Sequence, residues 1–172
     1  MRRQHVLLGV GLAVLLSATH SSGNAQSQQR TPLNSLEQNK ALVRRWIEQG
    51  FNKTELSVVD ELFAEDFVVN GQKIGRQGLK QGMTGRLTAF PDLHVTITEI
   101  LAEGDKVGLW YTVQATQKGN FEGISATGKQ VNWSGADLLR VAGGKIVEAQ
   151  FVDDSLGLLR QLGATVSPPP IR

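Results

Sequence analysis

The chain has 172 residues, with 18 Lys and Arg residues against 16 Asp and Glu residues, three histidines and no cysteine. The lack of cysteine excludes disulfide bonds, thiolate metal sites and attachment of a lipid to an N-terminal cysteine. A chain of this length is long enough for one domain with a substantial hydrophobic core.

The first 25 residues have the pattern of a secretory signal peptide. Arg2 and Arg3 form a positively charged start, and residues 6–16 form an apolar run that is short for a membrane span. Small residues then precede a predicted cleavage site after Ala25. An uncleaved membrane anchor is the alternative. Cleavage would leave a periplasmic or secreted protein with no stable membrane anchor.

Removal of this segment would change the charge of the protein. Arg2 and Arg3 are its only charged residues, so the processed chain would carry as many basic as acidic residues. This balance does not favour binding to nucleic acid. His94 would be the only histidine left, which excludes multi-histidine metal sites and leaves proton transfer mostly to carboxylates.

The remaining chain is predicted to contain one domain, residues 35–163, between a polar flexible arm at residues 26–34 and a Pro-rich tail at residues 164–172. A capping box at Ser35 begins the first helix, which is predicted to end at Gly50. A second short helix follows Thr54, and a third covers residues 75–89. Three internal glycines weaken the third helix, so it is the one best suited to act as a lid.

From Leu93 onward the apolar residues alternate with polar ones, which indicates strands of an antiparallel sheet. The predicted strands are residues 93–98, 107–117, 131–141 and 146–152, preceded by a brief strand at 67–69. A glycine-rich loop at residues 118–129 crosses between two of them, and a short helix follows the last strand. Helices that are separate from an antiparallel sheet indicate an α+β fold, here with a conical cavity between the two layers.

Four segments of the chain resemble the SnoaL-like polyketide cyclases. They are AFPDLHVTITEILAEGDKV, GNFEGISATGK, GGKIVE and DSLGLLRQLGA, and the resemblance extends from about Asn39 to Gly163. This family belongs to the nuclear transport factor 2-like superfamily, so the resemblance implies a cone-shaped fold with a curved antiparallel sheet covered by N-terminal helices. The superfamily includes cyclases, isomerases, dehydratases, epoxide hydrolases and binding domains, so the fold alone does not define the activity.

The resemblance also implies aldol ring closure without a cofactor, in which an aspartate removes a proton next to a carbonyl group. Asp154 is the best match for this base, and Asp153 is adjacent to it. Neighbouring residues on a strand point to opposite faces, so only one of the two can enter the pocket. The other would lie on the surface or cap the helix that follows.

Two further residues are candidates for catalysis. His94 is either an acid in the pocket or a hydrogen-bonded residue on the sheet, since imidazole exchanges protons near neutral pH. Asp137 is either a pocket carboxylate or part of an ion pair with a neighbouring strand. Arg140 lies close to it in the sequence.

The candidates for substrate binding are Trp110, Trp133, Gln117 and Arg140. The two tryptophans suit the wall of a pocket for a flat or polycyclic ligand, although packing in the core is their usual role. Tyr111 is expected on the face opposite Trp110. Family members commonly have Gly-Thr-His where this chain has Ala-Thr-Gln ending at Gln117, and a glutamine cannot transfer a proton near neutral pH.

Two functions are therefore expected from the sequence. The first is an exported cyclase, isomerase or lyase with an aspartate base and a hydrophobic carbonyl substrate, requiring neither metal nor cofactor. The second is a non-catalytic carrier of a hydrophobic small molecule, which the glutamine at position 117 and the predicted export favour. No glycine motif for phosphates and no nucleophile elbow are present. The resemblance also implies a homodimer formed through the convex face of the long strands.

Overall fold

The computed structural model describes residues 25–165. The predicted signal segment up to residue 24 and the tail from residue 166 lie outside the described residues. The helices are α1 (Ala25–Arg45), α2 (Val58–Leu62), α3 (Gly75–Ala89) and α4 (Ser155–Leu162), with a π-helical segment, Trp46–Asn52, that continues α1. The strands are β1 (Phe63–Val69), β2 (Gln72–Lys73), β3 (His94–Glu103), β4 (Lys106–Thr116), β5 (Gln130–Ala142) and β6 (Lys145–Asp153).

Both ends of the first helix differ from the prediction. The helix begins at Ala25 rather than Ser35, so the stretch predicted to be a flexible arm is helical. Its alanine, glutamine and arginine residues have good helix propensity, which explains a helix there despite Pro32. Nor does the helical backbone stop at Gly50, because the π-helical segment continues to Asn52.

The sheet has six strands in the order β2-β1-β6-β5-β4-β3. Strands β3 to β6 form an antiparallel meander, as predicted. Strand β1 extends this meander by pairing with β6 in parallel, and β2 pairs with β1 in antiparallel fashion at the edge. The sheet is curved and unclosed, and the predicted α+β fold of the nuclear transport factor 2-like type is confirmed.

Alternation along the long strands separates a buried face of the sheet from an outer face. On β4, Leu109, Tyr111 and Val113 are buried, whereas Trp110 and Thr112 are exposed. The helical layer packs against the buried face. Within residues 25–165, no helix is long and apolar enough to cross a membrane.

Aromatic side chains join the helical layer to the sheet. The ring of Trp46 packs edge-on to Phe63 at 5.4 Å and stacks on Phe151 of β6 at 5.5 Å. Gly50 allows this close packing, since a Cβ atom there would lie 2.9 Å from Cε of Met83 and 3.2 Å from Cδ1 of Trp46. Gly50 therefore serves contact between helices rather than helix termination.

Candidate active site

A cavity of about 260 Å³ lies between the buried face of the sheet and the helical layer. Its wall is mostly apolar and is formed by Trp46, Ile47, Phe51, Val69, Ile74, Leu79, Met83, Leu93, Val95, Val113, Trp133 and Phe151, with Gly78 and Gly82 on α3. Arg86, Tyr111, Asp137 and Asp153 are the polar side chains of this lining. A mostly apolar cavity with a few converging polar groups is typical of a small-molecule site.

The four polar side chains contact one another in a chain. Arg86 on α3 pairs with Asp153 at the end of β6, with 2.9 Å between Nη1 and Oδ2. The hydroxyl oxygen of Tyr111 on β4 lies 2.9 Å from Oδ1 of Asp153 and 3.2 Å from Oδ1 of Asp137 on β5. One phenol therefore links two carboxyl groups, and a guanidinium neutralises one of them.

Gly135 makes this contact across three strands possible. It is paired in register with Tyr111 on one side and with Asp153 on the other. A Cβ atom at this position would lie 2.4 Å from the Tyr111 hydroxyl and 2.8 Å from Oδ1 of Asp153. Because glycine has no side chain, the Tyr111 ring extends over β5 and reaches a carboxylate on β6. Glycine inside a strand often marks such a close approach.

The two carboxyl groups have different surroundings. Asp137 is 6% exposed and forms no ion pair with any of residues 25–165. Burial raises the pKa of Asp137 to about 7, the negative charge of Asp153 acts in the same direction, and the positive charge of Arg86 acts against the rise. Burial, together with both carboxylates, also raises the pKa of Tyr111, so this side chain is a neutral phenol.

Asp153, not Asp154, faces the cavity. The side chain of Asp154 is exposed and caps α4, accepting a hydrogen bond from the Gly157 backbone N–H to Oδ1 at 2.9 Å. The prediction that Asp154 enters the pocket is therefore wrong, and the alternative, that one of the pair caps the helix, is confirmed. The physical reason is that an aspartate just before a helix satisfies a free N–H of the first turn.

Of the other candidates, Asp137 and Trp133 lie in the cavity lining. The Arg86 guanidinium lies 5.8 Å from the centre of the Trp133 ring, within the range of a cation–π contact. The alternative of an ion pair between Asp137 and a neighbouring strand is wrong, because no Lys or Arg among residues 25–165 forms an ion pair with it. The roles of both residues stay predictions.

Three candidates lie on the outer face of the sheet, away from the cavity. His94 is exposed and precedes the lining residue Val95, so strand alternation turns it outward. Trp110 is 50% exposed. Arg140 pairs with Glu148 on β6 at 3.1 Å. The predictions that these three side chains line the pocket are wrong, since each has the strand parity of the outer face.

Gln117 is fully buried but does not line the cavity. Its side-chain amide donates to the carbonyl oxygens of Gly119 and Ile124, at 3.1 and 3.0 Å. Its oxygen accepts from the Thr127 hydroxyl at 2.6 Å and from the Thr127 backbone N–H at 3.1 Å. Gln117 therefore holds the glycine-rich loop between β4 and β5 together, and the prediction that it contacts substrate is wrong.

Arg86, Tyr111 and Gly135 were not predicted as site residues. A signal for Arg86 was present, since it follows Leu79 and Met83 at helical spacing and so shares their inward face. Tyr111 was expected opposite Trp110, which is correct, but that face is the one that lines the cavity. Among residues 25–165, no group of three or more His, Asp or Glu side chains is placed to hold a metal ion.

Comparisons with known proteins agree with the fold. The SnoaL-like polyketide cyclase family matches residues 41–162. AclR, a proposed hydroxylase from Streptomyces galilaeus, is 33% identical with a TM-score of 0.69, over 76% of this chain and 99% of its own. IdmH, a proposed polyketide cyclase from Streptomyces antibioticus, is 27% identical with a TM-score of 0.66, and the match covers 74% of this chain and 99% of IdmH. No curated protein matches the sequence.

Proposed function

Because the chain belongs to the SnoaL-like polyketide cyclase family, we propose that it is a cofactor-independent cyclase or isomerase whose general base is Asp153. The substrate is a hydrophobic carbonyl compound with an acidic C–H bond next to the carbonyl group. The observation that carries the proposal is the position of Asp153: a carboxylate at the wall of an apolar cavity, in contact with a guanidinium and a phenol.

The reaction begins when an Asp153 oxygen removes the proton on the carbon next to the carbonyl. The electron pair of the C–H bond moves to the carbonyl oxygen and forms an enolate. In a cyclase the enolate carbon then attacks a second carbonyl carbon of the same molecule, and in an isomerase it is protonated at another position. The positive charge of Arg86 lies beside the developing negative charge and stabilises it.

The apolar wall supports this chemistry in two ways. It excludes water, which strengthens the interaction between Arg86 and an enolate. It also selects the ligand, since the buried indoles of Trp46 and Trp133 offer flat surfaces to a planar ring system. Gly82 leaves space on the helical side of the cavity, since no atom lies within 4 Å of a Cβ added there.

The test compares two neighbouring aspartates. The variants Asp153→Asn and Asp154→Asn are each incubated in D2O with aromatic 1,3-dicarbonyl compounds. The same experiment is done with any ligand that native mass spectrometry recovers from protein made in its own host. Deuterium uptake at the central carbon is measured by mass spectrometry. Loss of the base lowers exchange by about 10²–10⁴-fold in Asp153→Asn. Asp154→Asn keeps both its exchange and its helix cap, since asparagine caps helices as well as aspartate does. Equal exchange in both variants would refute the proposal.

A non-catalytic carrier is the second candidate, and the contact between Arg86 and Asp153 favours it. A carboxylate held at 2.9 Å by a guanidinium is less available to remove a proton. In a carrier, this pair would bind the polar end of a hydrophobic ligand. Retained ligand binding without deuterium exchange in the unmodified protein would favour this function.

We also propose that the protein is exported to the periplasm or secreted, and that it forms a homodimer through the outer face of the sheet. The outer face carries exposed apolar side chains on adjacent strands: Leu101 at 55%, Trp110 at 50%, Leu138 at 41% and Val152 at 64%. Trp110, Ala136 and Val152 lie in register across β4, β5 and β6. Cell fractionation tests the location. Light scattering of the unmodified protein and of Trp110→Lys tests the dimer, and a monomer at micromolar concentration in the unmodified protein would contradict it.

A further inference from the structure

The hydroxyl group of Tyr111 has one hydrogen and two carboxyl neighbours. It can donate to Oδ1 of Asp153 at 2.9 Å or to Oδ1 of Asp137 at 3.2 Å, but not to both. If both carboxyl groups were ionised, the contact to which Tyr111 does not donate would have no hydrogen. It would bring a lone pair of the phenol oxygen against a lone pair of the carboxylate inside the protein. Both contacts are hydrogen bonds only if one carboxyl group carries a proton and donates it to the phenol oxygen.

The surroundings decide which carboxyl group carries that proton. Asp153 has a cationic partner in Arg86, and its side chain is 14% exposed. Asp137 is more deeply buried, is linked to Asp153 through Tyr111, and forms no ion pair with any of residues 25–165. A charge is far more costly to bury without a partner than with one. The proton therefore belongs on Asp137, and the raised pKa of Asp137 agrees with this placement.

We propose that Asp137 is the acid that completes the reaction begun by Asp153, and that Tyr111 is the relay that returns the proton from base to acid. At rest, Asp137 donates to Tyr111, and Tyr111 donates to Asp153. The use of this chain in the reaction rests on the proposed function, whereas the position of the proton does not.

The proton balance of a ring closure follows from this arrangement. Asp153 takes the C–H proton, the enolate carbon bonds to the second carbonyl carbon, and the oxygen of that carbonyl receives the proton of Asp137. Asp153 is then protonated and Asp137 ionised. The Asp153 proton passes to the Tyr111 oxygen while the Tyr111 proton passes to Asp137, which restores the resting state. Because the raised pKa of Tyr111 disfavours phenolate, the two transfers are concerted.

The position of the proton is tested by ¹³C NMR on protein labelled at the aspartate carboxyl carbons. One signal is expected to titrate at about pH 7 and to be missing from Asp137→Asn. Tyr111→Phe removes the acceptor of the Asp137 proton, so the titration midpoint of Asp137 is expected to fall. The loss of one hydrogen bond lowers the proton affinity by roughly threefold to tenfold. If the Tyr111 hydrogen pointed to Asp137 instead, its loss would raise the midpoint. A raised or unchanged midpoint in Tyr111→Phe overturns the proposal. Titration of every aspartate of the unmodified protein below roughly pH 5 also overturns it.

One control guards against a folding defect, and a second label gives an independent readout. The Asp92 carboxylate accepts hydrogen bonds from Thr116 outside the cavity, which lowers its pKa, and this signal should be the same in every variant. Tyr111 is the only tyrosine of the sequence, so biosynthetic incorporation of 3-fluorotyrosine places a single ¹⁹F label at this position. The ¹⁹F chemical shift is expected to change with the same midpoint as the ¹³C signal, and this change should be absent in Asp137→Asn. A ¹⁹F shift that does not respond near pH 7 would overturn the proposal.

The role in the reaction has a separate readout. With a 1,3-dicarbonyl compound that the unmodified protein turns over, Tyr111→Phe is expected to lower kcat by about 10- to 100-fold and to leave KM nearly unchanged. An unchanged kcat would overturn the relay but not the base. Equal exchange in Asp153→Asn and Asp154→Asn would refute the proposed function and leave the NMR result standing.

Discussion

Gly135→Ala tests the close approach on which the site depends. The new methyl group would lie 2.4 Å from the Tyr111 hydroxyl and 2.8 Å from Asp153 Oδ1, so at least one of these side chains must move. Gly135 is not among the glycines with positive φ, so an alanine fits its backbone without strain. The effect of the substitution therefore comes from the added atom and not from the main chain.

The expected loss of stability follows from two opposing effects. Overpacking of a buried site costs about 1–3 kcal/mol, and a displaced Tyr111 leaves hydrogen bonds unmade at about 1–3 kcal/mol. Replacing glycine by alanine restricts the unfolded chain and returns about 0.4–1 kcal/mol. The free energy of unfolding should therefore fall by roughly 1–6 kcal/mol, and deuterium exchange into the substrate should fall with it because the Asp153 carboxylate is displaced.

Gly108→Ala is the matched control. Gly108 lies inside β4 of the same sheet, has no positive φ, and has no atom within 4 Å of an added Cβ. Urea unfolding should show a small gain in stability for Gly108→Ala and a clear loss for Gly135→Ala. In a Tyr111→Leu background the loss should shrink, because the clashing ring is gone. Equal stability of the two alanine variants would refute the close approach between Tyr111, Asp153 and Gly135.

Three further predictions concern Asp154, Asp137 and Gln117. Asp154→Ala should lower stability by about 0.5–2 kcal/mol through loss of the α4 cap, while Asp154→Asn should not, as thermal unfolding will show. The pKa of Asp137 is higher in the folded protein than in the unfolded chain, so stability should fall as the pH rises from about 4 to about 7. Measurements of Tm against pH should show this decline in the unmodified protein and not in Asp137→Asn. Gln117→Ala should destabilise the protein by about 2–4 kcal/mol, because the partners of four hydrogen bonds in the 118–129 loop are lost, yet leave ligand affinity in calorimetry unchanged.

The fold could be predicted because its signals are local. The change from helical spacing to strict alternation at Leu93 marks where the antiparallel meander of β3 to β6 begins, and the family match covers that part of the chain. The boundaries of the first helix could not be predicted in the same way. The helix continues beyond Gly50 because Trp46 and Met83 pack against that glycine, and tertiary packing of this kind has no signature in a short window of sequence.

The site could be predicted only in part, because it depends on register between distant strands. Trp110 and Trp133 were both expected on the pocket wall, but the pairing of Val113 with Trp133 puts only Trp133 on that face. Between Asp153 and Asp154, the helix that starts at Ser155 was the decisive local signal, because the residue before a helix is the one that caps it. Tyr111 becomes a site residue through a contact that spans three strands, which no spacing in the sequence reveals.

The π-helical segment Trp46–Asn52 has a consequence for how this pocket can change over evolution. Trp46 and Phe51 are five residues apart, yet both line the cavity with ring centres 5.6 Å apart. In a regular α-helix, residues five apart differ by about 140° around the axis and cannot share a face. The i to i+5 hydrogen bonds of a π-helix bring them to the same side. Deletion of one residue between them would restore an α-helix and leave the two aromatic residues four apart, which keeps both rings on one face of the helix. A single-codon deletion could thus remove the π-helical segment while the aromatic wall of the pocket and the register of the sheet are both kept.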